Sequence, residues 1–273
     1  MKKLFYLIII TSVLTAGCNK KNKDDEKNNE EEQTYECLPK SLNYTDHADP
    51  NKNESTTYFY RKNLIDHKVR NFSDGTSYRY NYIYQDETKG LLSRIDILIQ
   101  GQVVAKVNYT IQNDKTTQRE LVLLQNGNSS LAWTISYSYN NDKVTQIRIQ
   151  DYDLWNNGAN PTDETEVLTY TGDNVTNIKL YDTADMNTLK EEYMFEYDDG
   201  KRAFDNVSTQ TYPQTRVNNV TRYEKHIYGT NPSTDIELTT ITYNNKNFPT
   251  SFESTDDRGN ATNTMEVTYD NCN

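Results

Sequence analysis

From about residue 55 to the C-terminus, apolar and polar positions alternate in short runs. Trp133, Ile135, Tyr137 and Tyr139 are separated by Thr134, Ser136 and Ser138. Ile147 and Ile149 flank Arg148, and Ile95 and Ile97 flank Asp96, with Ile99 in the same phase. A period of two puts alternate side chains on opposite faces of an extended chain, so these runs predict half-buried β-strands. Between them lie clusters of Asn, Asp, Gly and Lys. Asn, Asp and Gly tolerate a left-handed backbone, and Asn and Asp also bond their own backbone in tight turns. No useful amphipathic helical period appears beyond the first 17 residues.

Strand and turn recur as a unit: an apolar residue, any residue, Tyr, a polar turn, then an apolar strand. Tyr137-Ser-Tyr139-Asn-Asn-Asp-Lys-Val144-Thr-Gln-Ile147 matches Leu168-Thr-Tyr170-Thr-Gly-Asp-Asn-Val175-Thr-Asn-Ile178 position for position. Ile241-Thr-Tyr243 through Phe248 keeps the Tyr-to-apolar spacing. Phe195-Glu-Tyr197-Asp-Asp-Gly-Lys is a further copy, Val267-Thr-Tyr269 begins another, and looser copies begin at Tyr82 and at Val107-Asn-Tyr109. Tyr109, Tyr139, Tyr170 and Tyr197 are 30, 31 and 27 residues apart, a period that signals a repeat architecture.

Each unit reads as a hairpin, and about seven units give roughly 12–14 strands in an antiparallel meander. The fold class is therefore all-β. A sheet that long curls, and a closed or nearly closed barrel removes its exposed edges; the alternative is a long curved open sheet. The polar face of the strands carries Arg, Lys, Gln, Thr and Asp. A membrane-spanning barrel needs an apolar outer band, so the expectation is a soluble barrel with its apolar face inward.

The first residues depart from this pattern. Met1-Lys2-Lys3 precedes an apolar run from Leu4 to Leu14, broken only by Thr11 and Ser12. A positive start, a short apolar core and then small residues is the form of a secretory signal, and the core is too short to span a bilayer. Leu14-Thr15-Ala16-Gly17-Cys18 resembles the lipobox of bacterial lipoproteins. That resemblance implies diacylglyceryl attachment to Cys18, cleavage before it and acylation, palmitate included, of the new N-terminus. Residues 19 to about 33 contain no aliphatic or aromatic side chain and read as a charged, disordered tether. Its Asn22-Lys23-Asp24-Asp25-Glu26 resembles the export signals of Bacteroidetes surface lipoproteins. The expected organisation is a signal peptide over 1–17, an acylated cysteine with tether over 18–36, and one repeat-built β domain over 37–273.

Charge narrows the partners. The chain has 29 basic and 40 acidic residues, and loss of Lys2 and Lys3 with the signal leaves 27 against 40, a net −13. Nucleic acid and anionic headgroups are polyanions and are disfavoured as partners. The membrane would be met through the lipid anchor, and a glycan or an outer-membrane protein are the remaining partner classes. With Cys18 lipidated, Cys37 and Cys272 remain at the two ends of the β domain, in an oxidising compartment. A disulfide between them is expected, two free thiols being the alternative; it would close nearly the whole domain into a loop, worth up to ~4–5 kcal/mol in the chain-entropy model.

Catalytic chemistry is not written in the chain. His47, His67 and His226 are far apart, and no zinc-protease helix, nucleophile elbow or phosphate loop occurs. A carboxylate pair for hydrolysis depends on a separation that sequence does not give. The reading is therefore not an enzyme. The most unusual segment is Asp151-Tyr-Asp-Leu-Trp-Asn-Asn-Gly-Ala-Asn-Pro-Thr-Asp-Glu-Thr-Glu166, between two units. One reading is a polar loop over a barrel rim. The other is a ligand-binding loop in which Tyr152 and Trp155 stack on a sugar and Asp151 and Asp153 bind its hydroxyls. Asp153, Asn157 and Glu164 fall at positions one, five and twelve of a calcium-loop spacing, but Trp155 stands at the third. Ca²⁺ is the one cofactor the loop suggests.

The repeat copies, Tyr197-Asp-Asp-Gly-Lys most of all, resemble the tyrosine-aspartate repeats of Rhs-type wall proteins. Lipobox, acidic tether and hairpins together resemble Bacteroidetes predicted lipoproteins carrying a domain of unknown function with a porin-like β fold. The resemblance covers most of residues 55–271 and implies a β-barrel fold and no catalytic residues. The expected function is a cell-envelope lipoprotein of the outer membrane, at the cell surface or on the periplasmic face. There it would act as a ligand-binding module for glycan or peptide; the alternative is a structural or interaction protein without a small-molecule ligand.

Overall fold

A computed structural model describes residues 37–125, 127–154, 158, 160–210 and 215–272. Cys18 and the segments on either side of it lie outside the described residues, as do Trp155 and Asn157. Strands β1 (Leu38–Asp46), β2 (Glu54–Arg61), β3 (Leu64–Phe72), β4 (Ser77–Asp86), β5 (Leu91–Ile99), β6 (Gln102–Gln112), β7 (Lys115–Gln125) and β8 (Asn128–Asn140) form the first half. The second half is β9 (Lys143–Asp151), β10 (Thr162–Thr171), β11 (Asn174–Asp182), β12 (Asp185–Tyr197), β13 (Val220–Ile227), β14 (Ser233–Tyr243), β15 (Pro249–Asp256) and β16 (Ala261–Asp270). Each strand pairs antiparallel with its sequence neighbours, and β1 pairs with β16, so the meander is a closed barrel of 16 strands. Two more strands than the upper expectation arise because three strands, β1 to β3, precede the first copy at Tyr82, while the last copy, at Tyr269, supplies only β16.

The ends of the domain meet. Leu38 opposes Asp270 and Leu42 opposes Val267 in the closing ladder. Just before it, the Cys37 and Cys272 sulfurs lie at bonding distance with Cα atoms 4.3 Å apart, below the limit of roughly 7 Å that a disulfide can bridge.

The tyrosine repeat has a structural meaning. A register shift falls immediately before Tyr60, Tyr84, Tyr139, Tyr170, Tyr197 and Tyr243. A bulge adds twist and re-aims the side chain that follows it. Each ring points inward at one end of the barrel, the base, and most reach back one hairpin with their hydroxyl. Tyr60 donates to the Pro39 carbonyl at 2.8 Å, Tyr84 to Ile65 at 2.7 Å and Tyr139 to Thr116 at 2.6 Å. Tyr170 donates to Val144 at 2.9 Å, Tyr269 to Pro249 at 2.7 Å and Tyr197 to Val175. The acceptors are all buried, so the girdle supplies polar partners to backbone that water does not reach. In this frame the repeat phase shifts at two units: Tyr84, not Tyr82, is the girdle residue, and Ile111 takes the equivalent place two residues after Tyr109.

One unit breaks the hairpin rule. Tyr197-Asp-Asp-Gly-Lys does not turn directly into a return strand: residues 198–219 intervene before β13. The chain leaves β12, crosses the base to β3 and β5, and returns to the β10–β11 turn. On the far wall Phe204, fully buried, packs edge-on to Tyr58 at 5.1 Å. Thr209 Oγ1 accepts the Ile65 N–H at 2.8 Å, and the Gln210 N–H donates to the Gly90 carbonyl at 2.9 Å. On the return, the Val175 N–H donates to the Thr215 carbonyl and Val217 N–H to Asn174 Oδ1. Phe204, Val207 and Ala203 join the main apolar cluster with Tyr58, Ile65, Tyr82 and Leu92. The buried core therefore sits at the base, around this crossing segment.

The outward faces are polar. Arg94 pairs with Asp96, Arg148 with Asp163, Lys179 with Glu192, and Arg222 with Glu196 and Glu224. Outward large apolar residues are few: Phe59, stacked on His67, and Leu238 are exposed, and Leu98 faces Val103 and Val122 faces Leu131 across neighbouring strands.

Candidate functional site

Above the base, the inward row does not stay apolar. On β3 the inward positions after Leu64 include Lys68, Arg70 and Phe72; on β10 they run Glu164, Glu166, Leu168, Tyr170 up and down from the girdle. Register fixes these assignments, since Lys68 opposes Tyr58 and Tyr80, and Glu166 opposes Ile147 and Leu180. Lumenal residues such as Leu42, Tyr44, Lys68, Trp133, Ile147, Glu166 and Tyr193 keep partial accessibility. Strong element contacts join only hydrogen-bonded neighbours (and β1 with the short turn after it), so the walls do not collapse on each other. A barrel of 16 strands is wide enough to hold such a lumen.

Most lumenal charges are paired. Arg70 Nε bonds Glu54 Oε2 at 2.9 Å, and the pair is buried under the Phe72 ring. Lys190 Nζ lies 2.9 Å from Glu164 and 3.6 Å from Asp182. Lys225 lies 2.9 Å from Glu191, which also accepts the Tyr193 hydroxyl. Asn263 donates to Glu237 at 3.0 Å.

Lys68 and Glu166 have no such partner among the described residues. The Lys68 ammonium lies 4.9 Å over the Tyr80 ring and 5.8 Å over Tyr58, and no hydrogen-bond acceptor among the described residues reaches it. Burial pulls its pKa down to about 8, and the Arg70 charge pushes the same way. Glu166 makes no hydrogen bond or ion pair among the described residues. Burial pushes its pKa up to about 7; Arg216 opposes this, and the nearby Glu164 and Glu191 charges add to it. Arg216 itself, brought in by the crossing segment, sits 4.1 Å over the Phe195 ring, its pKa lowered by burial.

The sequence-derived candidates lie elsewhere. Asp151 ends β9 and its Oδ1 accepts the Asp153 N–H at 2.8 Å; the Tyr152 N–H donates to the Ala132 carbonyl at 3.0 Å. Asp153 has a left-handed backbone and its carboxylate accepts the Asn160 N–H at 2.9 Å. These three sit at the rim opposite the base. Glu164 is instead inside the barrel on Lys190. Lys68 and Glu166 were missed, although a signal was present: Glu164 and Glu166 continue the alternation phase of Leu168 and Tyr170, which marks them as inward.

No protein-family model matches this chain, and no curated protein matches it. Solved structures do. A porin-like protein from Bacteroides uniformis ATCC 8492 aligns with a TM-score of 0.54 at 12% identity, over 87% of this chain and 100% of that one. A porin-like protein from Bacteroides vulgatus ATCC 8482 aligns with a TM-score of 0.55 at 10% identity, over 86% and 99%. At such identities the likeness is one of fold: a porin-like barrel.

Proposed function

We propose that this protein is a lipid-anchored, water-exposed binding cup of the bacterial envelope. The observation that carries the reading is the pairing of a largely polar, ion-paired outer face with a base crossed by residues 198–210 and 215–219. A hydrophilic exterior has no band for lipid to cover, and a crossed base makes the lumen a blind chamber rather than a through-channel. Ionisable side chains facing a sheltered lumen are suited to holding a polar ligand, because their interactions are screened less there than on an open surface. Cys18 and the tether would hold the cup at the outer membrane, on the surface or periplasmic face. Tyr152 and the Asp151–Asp153 rim would meet an arriving glycan or peptide first.

The test uses the chain from residue 18 with Cys18→Ser and Trp155→Phe. Trp133, on the lumenal wall, is then the only tryptophan, since the chain has two. Glycan and peptide collections are screened for a saturable change in its emission. A ligand that produces one supports the cup. No change with any ligand, together with a stable complex with an envelope protein, would replace the reading with the structural alternative.

A further inference from the structure

Lys68 and Glu166 carry opposite charges, and neither has a hydrogen-bond or ion-pair partner among the described residues. They lie on β3 and β10, seven strands apart in a ring of 16 and so almost opposite each other. Both stand above the girdle: Lys68 opposes Tyr58, two residues before the girdle Tyr60, and Glu166 lies four before Tyr170. Their neighbours on each wall are already engaged, Arg70 with Glu54 and Glu164 with Lys190. A charge sheltered in the lumen without a bonded partner is costly. The nearest opposite charges, Glu54 for Lys68 and Arg216 for Glu166, act on them from a distance without bonding them, so each can still take a charge of the opposite sign arriving from the lumen.

We propose that the lumen binds short linear peptides with free termini, the C-terminal carboxylate on Lys68 and the N-terminal ammonium on Glu166. This rests on the binding-cup reading and names its ligand class. The aromatic faces of Tyr58 and Tyr80 beside Lys68 orient its ammonium and leave its outer side to a carboxylate. Strands about 4.8 Å apart and tilted 35–45° give a 16-strand ring a backbone diameter of roughly 30 Å. Inward side chains leave roughly 15–18 Å, the reach of about five extended residues. A ligand with a charge at each end separated by that length satisfies both walls at once; an acidic oligosaccharide would satisfy Lys68 and leave Glu166 unmet.

The experiment titrates uncharged-side-chain peptides of four to six residues into the single-tryptophan protein, each as the free, C-amidated and N-acetylated form. Free peptide is expected to bind. Amidation weakens binding by roughly tenfold to a hundredfold, the worth of one charge-assisted hydrogen bond. Lys68→Met weakens the free peptide equally and leaves the amidated one unchanged; Glu166→Gln does the same for the N-acetylated form. Circular dichroism confirms that both variants keep the strand signal. Equal binding of free and blocked peptides, or a loss in Lys68→Met that is the same for both, overturns the proposal. If acidic oligosaccharides move Trp133 emission and peptides do not, the peptide assignment falls while the cup stands. If nothing moves it, the cup falls as well.

Discussion

Removing one girdle hydroxyl tests whether the tyrosine repeat is a hydrogen-bonding device or only a packing one. In Tyr170→Phe the ring stays and only the bond to the Val144 carbonyl, 2.9 Å long, is lost. Val144 is 1% exposed, and burial holds the Tyr170 hydroxyl at a pKa of about 12, so the carbonyl loses a partner that water replaces poorly. A neutral intramolecular hydrogen bond is worth about 0.5–1.5 kcal/mol net, and stranding a buried acceptor moves the cost to the upper part of that range. For a domain of this size 1 kcal/mol corresponds to a Tm shift of about 2–4 °C. Tyr139→Phe and Tyr197→Phe, four strands apart, should each cost the same and add within about 0.5 kcal/mol. The control is Tyr181→Phe on the outward face of β11, whose hydroxyl makes no hydrogen bond among the described residues. Urea unfolding followed by tyrosine fluorescence and circular dichroism gives each difference. Girdle variants no less stable than Tyr181→Phe would refute the reasoning and leave the repeat explained by ring packing alone.

Other perturbations act on different parts of the structure. Gly90 has φ +66, and a Cβ there would meet the Ser208 carbonyl oxygen at 1.7 Å; Gly90→Ala should push residues 208–210 off the far wall, seen as faster proteolysis of the crossing segment with the strand signal retained. Glu166 has a folded pKa raised to about 7, so its contribution is full at low pH and is lost as pH rises between about 4.5 and 7. Glu166→Gln should therefore be more stable than the parent at pH 8, by roughly 1–3 kcal/mol, but not at pH 4.5; equal differences at both pH values would contradict the raised pKa. Replacing Cys37 and Cys272 together by Ser should cost roughly 3–5 kcal/mol in urea unfolding, because the cross-link restrains the unfolded chain over 235 residues. The barrel itself should remain closed through the β1–β16 ladder.

Much of the fold was legible because hairpins are local. Alternation in residues such as Trp133–Tyr139 fixes which face is inward, and turn residues such as Asn141 and Gly172, both left-handed, mark the reversals. The Cys37–Cys272 proximity was legible on other grounds: these two cysteines remain once Cys18 is set aside, and they flank the repeats; a meander that closes also brings its ends together. The crossing segment was not legible. Tyr197-Asp-Asp-Gly-Lys carries the same local turn chemistry as its sister units, and nothing local says that Phe204 and Val207 will pack against Tyr58 on the far side of the barrel. The lumenal charges were half legible. The phase of Glu166 could be read from Leu168 and Tyr170, but its lack of a partner depends on the neighbouring strands. The rim loop drew attention through its composition, while the groups left without partners lie on strands of ordinary appearance.

The proposed cup requires a sealed base and a lumen that opens at the other end. Thiol reactivity at two engineered sites tests it, because the native cysteines of the folded domain lie at bonding distance from each other and do not compete. Leu92, fully buried beside the crossing segment, and Ile149, partly accessible on the upper lumenal wall, are each replaced by Cys in the chain carrying Cys18→Ser. A small charged maleimide should modify the cysteine at 149 within a few-fold of the rate for a free thiol, and the cysteine at 92 only as fast as the protein unfolds. Rapid modification at both positions under native conditions would contradict the sealed base and make the barrel an open channel.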